Sequence, residues 1–286
     1  MKLILGDNQF FGVNHADLKK AALTREMFSS HESITDFIKK SLDMGLDGFM
    51  INSNDLGFKV VERFDFKNQN IECHYSIPYP HKYAGIVNDS GMLALLSLVL
   101  KQLRFRDIFS VIKFALTFNA IHLLPIILRM EIPKSLPKGS VVYLQNVVTD
   151  LTMGLKNGDR ILSCYIKSVR SMGYKPGLIT LNPTNLFKWF KKSHSQDEVF
   201  LCFNINYSGF NVFPSVSRVE ETINDIKKST NWKLMGMSIF SSGASGVSIE
   251  KSIDYIETLE LDYVVFGTSK LDNIAKNISR FKSKTN

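Results

Sequence analysis

Eight short apolar runs, most of them separated by an amphipathic helical pattern, predict an α/β fold of the (β/α)8 TIM-barrel type. Three observations carry this expectation. The apolar runs are continuous rather than alternating, as in strands buried on both faces. The segments between them repeat apolar residues at three- and four-residue spacing. The chain has 286 residues, 44% of them hydrophobic, enough for one large core.

The strand runs, in order, are KLILG (2–6), DGFMINS (47–53), IECHYSIPY (71–79), SVVYLQNV (140–147), GLITLN (177–182), VFLCFNIN (199–206), LMGMSIF (234–240) and DYVVFG (262–267). Helical patterns include residues 33–45, 159–173, 217–229 and 248–260, each closed by a glycine or a polar cluster. A doubly wound open sheet is the alternative, but no glycine-rich dinucleotide turn follows the first strand. The expected organisation is one barrel domain over 1–286, with a helical insertion over 90–138 between strands three and four. That insertion is too long for one barrel helix. Its longest uncharged stretch, Phe114 to Leu128, contains Asn119, His122 and Pro125 and is too short and too polar to span a bilayer. Leu95, Leu96, Val99 and Leu103 lie at helical spacing, beside a basic rim of Lys101, Arg104, Arg106, Lys113 and Arg129. The insertion is expected to roof the barrel or meet a second subunit. Docking on an anionic membrane is the alternative.

The net charge of +8 favours an anionic small-molecule substrate. No Arg-rich arm, zinc-finger spacing or aromatic RNA-binding signature points to nucleic acid. Cys73, Cys164 and Cys202 are odd in number and lack metal or redox-motif spacing, which suits a reducing, cytoplasmic compartment. The apolar run before Asp7 is too short for a signal peptide.

In a barrel the site lies where strands end in βα loops. Asp7, His15 and His74 are the titratable groups at such ends and the candidates for proton transfer. Amides cluster there as well, at Asn8, Asn52, Asn146, Asn182 and Asn206, followed by Tyr207. Amides both donate and accept, so a ring of them suits a polyhydroxylated ligand. Strands seven and eight each end in a Gly–hydroxyl turn that precedes a helix. Ser241, Ser242, Gly243, Gly267, Thr268, Ser269 and Lys270 therefore make a candidate phosphate corner. No spaced ligand motif supports a metal. No lysine ends strands four to six, which argues against a Schiff-base aldolase. These residues point first to an enzyme acting on a phosphorylated or nucleotide-activated sugar by acid/base proton transfer, of isomerase, epimerase or lyase type. A non-catalytic sugar- or partner-binding barrel remains open beside it, and the residues themselves leave the cofactor unknown.

The last 55 residues resemble the aldo-keto reductases, an NADPH-dependent barrel family. MSIFSSGASG is similar to that family's seventh-strand Pro-Leu-x-x-Gly turn. VVFGTSKLDNIAKNI is similar to its eighth-strand turn and following helix. MINSNDLGFKVVE resembles its second-strand Asp-Thr-Ala…Tyr-Gly…Glu motif. The resemblance implies an NADPH-dependent oxidoreductase, with Gly267, Thr268, Ser269, Lys270 and Asn277 as cofactor contacts. The family's catalytic tetrad is not matched. Asn52 stands at its Asp, Cys73 or His74 at its Lys, Gln145 or Asn146 at its His, and no Tyr occupies the acid position.

Overall fold

The computed structural model describes residues 1–11, 18–66, 71–78, 103–117, 120–243 and 246–283, together with residues 89, 97 and 101. All eight expected strands are present: β1 (Lys2–Leu5), β2 (Gly48–Asn52), β3 (Glu72–Ile77), β4 (Val141–Leu144), β5 (Lys175–Thr180), β6 (Phe200–Asn204), β7 (Lys233–Met237) and β8 (Tyr263–Phe266). They pair in parallel in sequence order, and β8 closes on β1, giving a (β/α)8 barrel. Most strands end earlier than their apolar runs. The excess residues, such as Asn146, Asn182 and Asn206, lie in the turns and helix starts that follow.

The described helices are α1 (Leu18–Met27), α2 (His31–Asp43), α3 (Asp55–Arg63), α4 (Ile108–Thr117), α5 (Leu124–Glu131), α6 (Asn146–Met153), α7 (Gly158–Ser171), α8 (Pro183–His194), α9 (Val216–Ser229), α10 (Ile249–Thr258) and α11 (Leu271–Lys282). Local chemistry starts several of them. Ser30, Asn54, Asn182, Ser215 and Ser248 each accept a backbone N–H of the first turn from the N-cap position. At the opposite end of the barrel, carboxylates finish the ladder. Asp47 Oδ2 accepts from Leu3 N at 2.8 Å, and Asp262 Oδ2 from Leu234 N at 2.9 Å.

Two cores follow from the strands' alternation. Ile4, Met50, Val141, Tyr143, Phe200, Cys202, Met235, Tyr263 and Val265 fill the barrel interior. Their neighbours in sequence face outward and join the helices in a larger core that includes Leu3, Phe49, Tyr75, Val142, Leu201 and Val264. Gly177 is required by this packing, because a Cβ there would lie 2.4 Å from the Tyr143 ring. Tyr165 of α7 pins the wall by donating its hydroxyl to Val142 O, 2.7 Å away.

Between β3 and β4, two described helices and two short 3-10 turns occupy part of the predicted insertion. Helix α5 belongs to the main core through Leu128, and Ser53 donates to its Glu131 at 2.5 Å. Arg129 pairs with Asp107, so its charge is neutralised within the insertion. The preceding segment turns its apolar face outward, with Phe105, Phe109 and Leu116 exposed at 89%, 73% and 78%. None of the described residues covers that face. Leu95, Leu96 and Val99 lie outside the described residues. Among the described residues, no helix is long and apolar enough to cross a membrane.

Candidate active site

Asp7 follows β1 at the mouth of the barrel and is 5% exposed. Its carboxylate is gripped by one neighbour. Asn52 N donates to Oδ2 at 2.6 Å, and Asn52 Nδ2 reaches Oδ1 at 2.9 Å and Oδ2 at 2.8 Å. Burial raises the Asp7 carboxyl from 3.8 to about 6, against the lowering effect of the Asn52 bonds. Gln145 Nε2 in turn donates to Asn52 Oδ1. The ends of β1, β2 and β4 are thus joined in one chain of hydrogen bonds, and both ends of the Asn52 carboxamide are spent within it. Ser76, the register partner of Asn52 on β3, is 1% exposed, and its Oγ has no hydrogen-bond partner among the described residues.

The other titratable candidates stand elsewhere. His15 lies outside the described residues. His74 is not at a strand end, since β3 continues for three residues beyond it. It is fully buried in the barrel interior, with Nδ1 3.1 Å from Tyr143 Oη and Nε2 3.6 Å from Glu72 Oε2. Burial holds its imidazole below the ordinary value, with Glu72 opposing. This position removes His74 from the mouth.

The amide ring divides in the same way. Asn8 is exposed and Asn146 half-buried, both at the mouth and open to a ligand. Asn182 caps α8 by accepting from Asn185 N at 3.0 Å. Asn206 is fully buried and saturated: Nδ2 donates to Phe210 O and Ser238 O, while Oδ1 accepts from Ser208 Oγ and Phe210 N. It staples the β6 loop to the β7 loop and has no capacity left for a ligand. Tyr207 accepts from Ser248 N at 2.9 Å, fixing the approach to α10.

The phosphate corner also splits. Ser241, Ser242 and Gly243 take consecutive left-handed conformations, with φ of 50°, 56° and 76°. Ser241 N and Gly243 N turn back onto Ser238 O and Phe240 O, and the buried Ser241 hydroxyl meets Ser208 at 2.7 Å. These two residues build the turn, and Ser242 is left exposed at its tip. After β8, Thr268 Oγ1 accepts from Lys270 N and Asn273 Nδ2, both at 3.3 Å. Ser269 is half-buried and Lys270 exposed at the start of α11. Asn277 is buried within α11. Gly267 is held against Gln9, whose Oε1 would lie 2.3 Å from a Cβ at that position. Gln9 Nε2 donates to Gly6 O at 2.6 Å, and its buried Oε1 has no partner among the described residues. Gln9 therefore bridges the Asp7 side of the mouth and the β8 corner. Sequence reasoning passed over it, and its only signal is a position two residues beyond Asp7.

The unpartnered buried oxygen of Gln9, held against Gly267 three residues before the exposed Lys270, fits a polar ligand that carries an anionic group, and Ser76 on β3 adds a second unpartnered buried oxygen. Among the described residues, no cluster of three His, Cys, Asp or Glu side chains could hold a metal.

No protein-family model and no curated protein matches the chain. Solved structures do match. Two structures of a candidate aldo-keto reductase from Pseudomonas aeruginosa share 12% identity with it, cover 99% of this chain and 90% of the other, and superpose with TM-scores of 0.60 and 0.61. An aldo-keto reductase from Bacillus halodurans, in its holo form, shares 10% identity over 98% of this chain and 86% of its own, with a TM-score of 0.52. Identities this low speak to architecture. In fold, the chain is a (β/α)8 barrel similar to the barrels of these proteins.

Proposed function

We propose that this barrel is an NADPH-dependent oxidoreductase acting on the carbonyl group of a small polar substrate, with Asp7 as its proton-transferring group. The observation that carries the reading is the Asp7 carboxyl, buried at the mouth and raised to about 6. A group titrating there can hold a proton and give it up near neutral pH. A nicotinamide, when bound, would supply hydride to the carbonyl carbon. Asp7 would deliver the proton that the carbonyl oxygen needs as it gains charge. Asn52 and Gln145 keep that carboxyl in place, and Asn8 and Asn146 offer amides to the substrate. Lys270, Ser269, Thr268 and Ser242 fit the phosphates of the cofactor, with Gly267 allowing close approach. Titrating NADPH fluorescence against the protein tests the reading. Saturable binding weakened by Lys270→Ala is expected, and a flat titration at millimolar cofactor rejects it.

A second reading rests on a different observation: Asn52, which grips Asp7, and Gln145, which holds Asn52, are both uncharged. Such a site suits proton transfer on a phosphorylated or nucleotide-activated sugar, of isomerase, epimerase or lyase type, without hydride. Thermal shifts against a panel of phosphosugars and nucleotide sugars, alongside NADPH, separate the two readings. Stabilisation by sugars alone favours the second.

A further inference from the structure

A separate constellation lies on the outer wall of the barrel. Ser163, in the body of α7, directs its hydroxyl at His194, the last residue of α8, with Oγ 2.7 Å from Nε2. On the other side of the ring, Nδ1 is 2.6 Å from Asp197 Oδ2. Asp197 is itself fixed by Arg170, which pairs with Oδ1. The imidazole cannot easily turn. It stacks on Phe190 at 4.2 Å between centroids, and its own carbonyl accepts from Trp232 Nε1 at 2.8 Å. A carboxylate against Nδ1 selects the tautomer protonated there, which leaves Nε2 to accept the Ser163 proton.

The serine also faces open space. It lines a cleft of about 550 Å³ together with Arg160, Lys167, Cys164, Ser168 and Ile121 of the insertion. Arg160 and Lys167 lie three residues before and four after Ser163, so they flank it on one helix face. Backbone N–H groups within a helix are already bonded, so these two cations are the groups placed to stabilise an oxyanion.

We infer that Ser163, His194 and Asp197 form a second, nucleophilic site, suited to hydrolysing a carboxylic ester that bears an anionic group. Ser163 Oγ bonds to the ester carbonyl carbon as its proton passes to His194 Nε2, and the carbonyl π pair moves onto oxygen beside Arg160 and Lys167. Collapse breaks the ester C–O bond, and the leaving alkoxide takes the proton from His194 and departs as the alcohol. Water then adds to the acyl-enzyme, giving a proton to His194, which returns it to Ser163 as the carboxylic acid leaves. Asp197 is a positioning residue that holds the ring and its tautomer.

The test uses the full chain and a fluorophosphonate probe, which phosphonylates an activated serine with loss of fluoride, and maps the adduct by peptide mass spectrometry. Labelling at Ser163 is expected, absent in Ser163→Ala and slowed about 100-fold in His194→Gln. Asp197→Asn, which keeps the side-chain shape, should slow labelling while leaving the melting curve close to wild type. It serves as the reporter if His194→Gln does not fold. Hydrolysis of 4-nitrophenyl hemisuccinate should exceed that of 4-nitrophenyl acetate, and Arg160→Glu with Lys167→Glu should reverse the preference. A folded wild-type protein that takes no label at Ser163, or equal labelling rates in wild type and Asp197→Asn, overturns the inference and leaves the three residues as a tie between α7 and α8.

Discussion

Asn52 meets Asp7 with its backbone and its side-chain nitrogen at once, at 2.6 Å and at 2.8 and 2.9 Å. Such a grip would ordinarily hold a carboxylate ionised. Burial outweighs it, and the carboxyl rises to about 6.

The consequence is a stability slope of unusual sign. Between 3.8 and about 6, the folded chain binds the Asp7 proton and the unfolded chain does not. Stability therefore falls as pH rises through that window and stays lowered above it, by about 3 kcal/mol. Urea unfolding of wild type and Asp7→Asn at about pH 4.5 and about pH 7 should show about 2 kcal/mol of this loss, in the wild type alone. If Asp7 is the proton donor, turnover should also fall as pH rises through about 6.

His74 should tilt the curve the other way. Its folded value is lowered by burial, against Glu72 at 3.6 Å, with Lys175 and Lys2 adding to the lowering. Below its unfolded value, the unfolded chain takes the proton first, so stability falls as pH drops through the window beneath about 6.5. His74→Gln should flatten that part of the profile without altering the part that Asp7→Asn removes.

Asn206→Ala removes four hydrogen bonds at a fully buried site and leaves Phe210 N, Phe210 O and Ser238 O without that partner. The expected loss is about 2–4 kcal/mol in chemical denaturation. Asn206→Asp should be worse at neutral pH, because two carbonyl oxygens would then face a carboxylate.

Gly267→Ala sets a methyl 2.3 Å from Gln9 Oε1, so Gln9 must move. The clash is with the tip of a flexible side chain, so a stability loss of at most about 1 kcal/mol is expected, with cofactor affinity falling as the β8 corner shifts. Lys270→Ala should leave the melting curve unchanged, because Lys270 is exposed. It should weaken anion binding by up to about tenfold and reduce its salt dependence.

Periodicity alone determined the eight strands and the parallel barrel, because continuous apolar runs spaced by amphipathic helices can bury both faces of a sheet in few other ways. It also placed Asp7 and Lys270 at strand ends, where a barrel keeps its site. Only the tertiary structure decided which polar groups remain for chemistry. Asn206 and Ser241 read as ligand contacts in the sequence, yet the β6 and β7 loops consume them: Asn206 bonds Ser208 and Phe210 within its own loop and Ser238 in the next, and Ser241 meets Ser208. His74 read as a strand-end base, but the strand continues to Ile77 and the alternation of β3 turns His74 into the interior. The Ser163–His194–Asp197 alignment had no sequence signal, since it depends on how α7 and α8 lie against each other. Hydrophobic order is written locally along a chain, whereas the pairing of polar atoms, and the burial that shifts a carboxyl, exist only once the chain has closed on itself.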